Sequence, residues 1–167
     1  GEDISDQINV NSDLNTNEPG IYHITYSAVN EDGFSVSSTR TIYVADPTPS
    51  IITSGVHTVA VGTHRVNNSN GAVTNYSGYS IIILQIEPGV FYTSDFMAGY
   101  YDQHVGYGSS YAMTGHFQLN DDSSITPLDS FVAGWGDSMD GMSSGAVDPE
   151  TGQITYCLSY ADFLDFN

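Results

Sequence analysis

Residues 21–29 read IYHITYSAV, a run in which apolar or aromatic side chains alternate with smaller polar ones. Successive side chains of a β-strand point to opposite faces, so Tyr22, Ile24, Tyr26 and Ala28 share one face and His23, Thr25 and Ser27 the other. FSVSSTRTIYV (34–44) repeats the rhythm, with Phe34, Val36, Ile42 and Val44 on one face and Ser38 and Arg40 between them. NEDG (30–33) joins the two, its glycine suited to a backbone with positive φ. The pair reads as a β-hairpin with one buried face. The same period governs the longer, C-terminal part of the chain. YSIIILQIEPG is a continuous apolar run closed by Pro88-Gly89, as a strand buried on both faces would be. YAMTGHFQL sets Met113, Gly115, Phe117 and Leu119 on one face, and ITYCLSY does the same for Ile154, Tyr156, Leu158 and Tyr160. Only ADFLDF (161–166) reads as a helical turn. Strands at this spacing, without helical periodicity, make the chain all-β and its longer part an antiparallel β-sandwich or barrel.

ADPTPS (45–50) interrupts the alternation with two prolines, each of which fixes φ and removes a backbone donor. It predicts an extended, semi-rigid connector. The chain therefore divides into a first module at 1–46, a linker at 47–50 and a β-domain at 51–167. Charge narrows the partners of both. The chain has two basic residues, Arg40 and Arg65, against 20 acids, for a net charge of −18. Nucleic-acid binding depends on Lys and Arg displacing counterions, so that class is excluded, and anionic membrane surfaces are disfavoured. No apolar run approaches the roughly 18 residues that span a bilayer as a helix. Cys157 is the single cysteine, which precludes an intrachain disulfide, and its strand-like context points to an inert thiol.

Chemistry is sparse. GYGSSYAM (106–113) has glycines and serines without the G-x-S-x-G spacing of a nucleophile elbow. The five histidines lack H-E-x-x-H or any tight pairing, so zinc is not expected. Calcium suits acidic loops better, and Asp137 and Asp140 in GDSMDG are its candidates provided the loop folds back on itself. No other cofactor is expected. Paired carboxylates of the glycosidase kind need two acids facing one another across a cleft. Asp95, Asp102, Asp137 and Asp140 lie near aromatics, but turn acids of this sort are ordinarily solvated. The stretch FYTSDFMAGYYDQHVGYGSSY (91–111) carries more information. Tyrosine offers a rigid apolar ring with a hydrogen-bonding tip, and sugar C–H faces stack on such rings while Asp and Gln take the hydroxyls. Tyr100, Tyr101, Asp102, Gln103, Tyr107, Tyr111 and Trp135 are the candidate carbohydrate-binding residues, against a reading in which the tyrosines are half-buried structural rings. Trp135, between Gly134 and Gly136, ends the apolar run SFVAGW and is expected to point inward as a corner of the core.

A resemblance extends this. Residues 1–46, from Asp3-Ile4 through Pro19-Gly20-Ile21-Tyr22 to Arg40, resemble the latter part of a bacterial surface immunoglobulin-like repeat. The strands that open the repeat in that family would precede Gly1, so the module is expected to be a partial sandwich. Residues Ser130 to Ser138 and Gly152 to Tyr156 resemble the C-terminal module that follows such repeats in cell-surface lipoproteins of Bacteroidetes. The resemblance implies a place outside the cell or on the outer-membrane surface, lipid-anchored through a leader outside this chain. Relatives lie near glycan-uptake genes, which implies sugar capture. It also implies that Asp137-Ser138-Met139 has the form of an O-glycan acceptor. Together these readings point to a non-catalytic surface protein that binds glycan. The alternative is a structural spacer or interaction module contacting other envelope proteins, and a carboxylate glycosidase stands third.

Overall fold

The computed structural model describes residues 5–30 and 32–167, so Asp3-Ile4 and Glu31 of the NEDG turn lie outside the described residues. The first module is one antiparallel sheet of β1 (Asn9–Ser12), β2 (Gly20–Val29) and β3 (Ser35–Val44), in that order. β2 and β3 pair along their whole length, from Gly20 opposite Val44 to Val29 opposite Ser35. At the hairpin Gly33 takes φ 83°, and its N–H donates to the Asn30 carbonyl at 2.9 Å. The buried face expected of this hairpin is only partly present. Ala28 is buried, but Val36 is 66 % exposed and Phe34 74 %. The apolar residues do fall on one face, as alternation requires. No second layer covers its far end among the described residues.

The longer part is a two-layer sandwich. β4 (Gly55–Thr58), β7 (Ser80–Glu87), β8 (Val90–Thr93), β9 (Met113–Leu119) and β10 (Ile125–Val132) form one antiparallel sheet in the order β10-β9-β8-β7-β4. β5 (His64–Asn67), β6 (Ala72–Asn75), β11 (Gly141–Val147), β12 (Ile154–Tyr160) and β13 (Leu164–Phe166) form the other, ordered β11-β12-β13-β5-β6. Phe91, Phe117 and Ile125 from the first sheet meet Val147, Leu158 and Phe166 from the second in one buried cluster. β7 is buried on both faces at its centre, Ile83, Leu84 and Gln85, as its unbroken apolar run predicts.

Two expectations change. ADFLDF is no helical turn: Ala161 and Asp162 both adopt positive φ, the chain reverses, and Leu164–Phe166 becomes the middle strand of its sheet. The proline connector is tethered along its course. The Asp46 N–H donates to the Gln85 carbonyl at 2.8 Å, and Gln85 Nε2 donates to the Thr48 carbonyl at 2.8 Å and to Asp46 Oδ1 at 3.2 Å. A glutamine in the middle of an apolar strand is costly to bury without partners; the two Nε2 bonds offset part of that cost, while Oε1 is buried without a partner among the described residues.

Candidate functional site

The aromatic stretch forms the connection between β8 and β9, and a buried carboxylate organises it. Asp95 is 2 % exposed. Its Oδ1 accepts the N–H groups of Met97 at 2.8 Å and Met113 at 2.9 Å, and its Oδ2 accepts that of Gly99 at 2.8 Å. One side chain thus holds the start, middle and end of the loop. Burial pushes its pKa up to about 6, against the three N–H donors that favour the charged form, while the charge of Asp102 adds to the rise.

After Gly99 the chain makes one π turn, Tyr100–His104. The His104 N–H donates to the Gly99 carbonyl at 2.9 Å and the Val105 N–H to that of Tyr100 at 2.8 Å, the wide spacing of this rare turn. Its geometry buries to different depths neighbours that the sequence grouped together. Tyr100 points into the core, 5 % exposed, edge-on to Tyr76 at 5.1 Å and to Phe166 at 5.6 Å, with the Arg65 guanidinium carbon 5.1 Å from its ring centre. It is therefore a core residue and not part of an exposed binding surface. Tyr101 packs edge-on against it at 4.9 Å and against Phe166 at 6.1 Å, but stays only half-buried.

Tyr101, Tyr107, Tyr111 and Trp135 converge. The indole lies edge-on to Tyr101 at 4.7 Å and to Tyr107 at 6.4 Å, and meets Tyr111 at 4.9 Å and 66°. Tyr101 and Tyr107 are nearly parallel, 16° apart in plane at 6.0 Å. Trp135 is 41 % exposed and Tyr107 55 %. The inward corner expected of Trp135 is thus corrected: the indole faces outward beside the tyrosines. The reason is local. Val132, the last residue of β10, donates its N–H to the Asp137 carbonyl at 2.8 Å, closing a tight turn in which strand alternation no longer decides direction. Gly134 is required there, because a Cβ would sit 2.6 Å from the Tyr111 ring. The turn is tied to the aromatic loop directly, the Gly134 N–H donating to the Ser110 carbonyl at 2.6 Å.

Under the cluster lies Tyr160 of β12, with its ring 6.0 Å from the indole and its hydroxyl donating to Asp137 Oδ1 at 2.8 Å. Burial first, and then the Asp137 carboxylate, hold this phenol above its ordinary pKa. The Tyr101 phenol is raised as well, by burial, with the positive charge of Arg65 opposing. Alternation had placed Tyr160 among core residues; that it supports Trp135 follows from the pairing of β12 with β13 and carries no signal in the sequence.

The remaining candidates divide. Asp102 is half-buried, and its carbonyl accepts the Gly108 N–H at 3.2 Å. Gln103 is engaged structurally: its Nε2 donates to the Ser80 carbonyl at 2.8 Å and its Oε1 accepts the Ser80 N–H at 3.2 Å, so its amide is committed to the start of β7. Asp137 serves Tyr160, and Asp140 Oδ2 accepts the Asp162 N–H at 2.8 Å. Among the described residues no three His, Cys, Asp or Glu side chains come together as a metal centre needs, and no helix is long and apolar enough to cross a membrane.

A family model described as a bacterial surface protein Ig-like domain matches residues 1–44, and a second, describing a C-terminal domain, matches residues 45–167. Among solved structures the chain is similar to the crystal structure of the lipoprotein BT2262 from Bacteroides thetaiotaomicron, with 52% sequence identity and a TM-score of 0.91, over 99% of this chain and 82% of that one. None of the curated proteins compared with the chain matches it.

Proposed function

The chain belongs to the family of the Bacteroides lipoprotein BT2262, with a bacterial surface Ig-like domain in its first part, and on that footing we propose that it is a non-catalytic cell-surface protein binding carbohydrate through Tyr101, Tyr107, Tyr111 and Trp135. The observation that carries this reading is the outward, 41 % exposed indole set among three tyrosine rings. Large aromatics in contact with one another and still open to solvent offer C–H faces of a sugar ring an apolar seat. Tyr107, 55 % exposed, presents both its ring and its hydroxyl there. Attachment to the membrane by a lipid anchor follows from likeness to a lipoprotein and forms part of the same proposal.

A non-catalytic role is supported by how the nearby acids are used. Asp137 accepts from Tyr160 and Asp140 from the Asp162 backbone at the β12–β13 reversal, so both carboxylates are engaged structurally. A glycan array on the intact protein, followed by calorimetry on the best ligand, tests the reading. Trp135→Ala and Tyr107→Ala should each weaken binding by about tenfold or more, the loss of one stacking contact of roughly 1–2 kcal/mol. No glycan bound, or unchanged affinity in both variants, overturns it.

A second reading is favoured by one observation, the exposed apolar residues of the three-stranded sheet, Val10 at 55 %, Phe34 at 74 % and Val36 at 66 %. A patch of this kind suits a module that assembles with other envelope proteins. Light scattering would then show a stable oligomer, and Phe34→Ser with Val36→Ser would dissolve it.

A further inference from the structure

The two five-stranded sheets do not close on each other everywhere. At one side of the sandwich, bounded by the β4–β5 connection and the start of β12, they leave an open cleft of about 620 Å³. Native cores pack as densely as organic crystals and leave few voids larger than a water molecule. A space of this size falls within the range of small-molecule binding sites and well outside that of packing defects.

Its walls define the occupant. Ile81, Ile83 and Phe117 line it from one sheet, and Ile154, Tyr156 and Phe166 from the other, with Phe96 between. Its two phenols are already committed: Tyr76 donates to the Met97 carbonyl at 3.0 Å and Tyr156 to the Phe96 carbonyl at 2.7 Å. The uncharged polar groups left to meet a ligand lie toward the rim, among them Thr58, Gln153 and Thr155. In a chain of net charge −18, no Asp, Glu, Lys or Arg lines the cleft among the described residues. The only imidazole in the lining, His57, bonds through Nε2 to the Thr53 carbonyl at 2.7 Å. An anionic headgroup finds no cation here and a cation finds no carboxylate. The way in is mixed but uncharged: Ala60, Val61 and Gly62 lie beside Thr58 and Thr63, and Val61 is 93 % exposed.

We propose that this cleft binds an uncharged small molecule with a largely apolar body, seated against the partly exposed Ile81, Ile154 and Tyr156 above the buried floor of Ile83, Phe96, Phe117 and Phe166. Covering the apolar part of these walls with the body of such a ligand releases water from them. The site is distinct from the aromatic cluster around Trp135, and it stands or falls independently of carbohydrate binding there.

The test is titration of the intact protein with Nile red, an uncharged fluorescent hydrophobe. Saturable binding at one site per chain with blue-shifted emission is expected. Ile154→Trp, which fills the cleft from β12, and Ile81→Phe, which fills it from β7, should each weaken dye binding at least tenfold while thermal unfolding stays cooperative. Phe34→Ser on the first sheet should leave it unchanged. No binding by the wild type overturns the proposal, as does undiminished binding in a folded cleft-filled variant or loss of binding in Phe34→Ser. Should neither filled variant fold, a crystal soaked with Nile red decides: density between the two sheets supports the proposal, and density elsewhere overturns it.

Discussion

Asp95 shows how much one side chain can carry. It is buried among apolar residues, yet three backbone N–H groups converge on it and fix the loop that presents the aromatic cluster. Its raised pKa of about 6 means that the folded protein retains a proton which the unfolded chain has already lost between about pH 4 and pH 6. The stability this gives is fully present below the ordinary value of 3.8 and is lost as pH rises through about 6. Urea unfolding at pH 4 and pH 6.5 should therefore show wild type losing about 1–3 kcal/mol relative to Asp95→Asn across that window. A pH-independent difference would show that the three donors offset the burial completely. Nothing in the sequence distinguished this acid from its neighbours, because burial is a tertiary property and TSDF reads like any polar turn. The orientation of Trp135 was hidden for a related reason. Alternation assigns faces only while the strand lasts, and the strand ends at Val132.

At the scale of the element, legibility follows how regular the backbone is. The β2–β3 hairpin was legible residue by residue, since two uninterrupted period-two runs and a glycine turn admit one register. The reversal at Ala161 and Asp162 was not. Turns with left-handed backbone at successive residues ordinarily advertise themselves with Asn or Gly, and here the first position is an alanine. Ala161→Asn should stabilise the protein by about 0.5–1 kcal/mol, as measured by denaturant midpoint, by relieving that backbone cost. The π turn at Tyr100–His104 was also illegible, and within it Tyr100 is buried while Tyr101 is only half-buried. Gly134 makes the opposite case, since its need is steric. Gly134→Ala should displace the Tyr111 ring, cost about 1–3 kcal/mol in thermal unfolding and weaken the near-ultraviolet dichroism of the cluster. Unchanged dichroism would mean that the ring adapts without leaving the indole.

For the whole molecule, the all-β class could be read in advance, because patterning acts over long stretches, and the prolines of 45–50 break that pattern. What the sequence did not show was that the break is held down on β7 through Gln85. The charge of −18 belongs to this scale as well. With so few cations to offset it, the compact state carries a self-repulsion that the expanded chain relieves. Raising ionic strength from about 0.01 M to about 0.15 M shortens the screening length from roughly 30 to roughly 8 Å and should raise Tm measurably. A flat Tm would show that the acids lie too far apart to repel.

The place of β13 bears on when the molecule can exist at all. This three-residue strand lies between β12 and β5, yet it comes after every other strand along the chain. β5 and β6, made long before, can pair with each other but have no inner neighbour until residues 164–166 have left the ribosome. Their sheet cannot assemble as the chain emerges; it closes in one late step, with distant parts of the chain meeting across a long intervening loop, which is slow. A chain that ends after Tyr160 but before Leu164 holds two half-sheets with open edges between them, the state most exposed to mispairing with its neighbours.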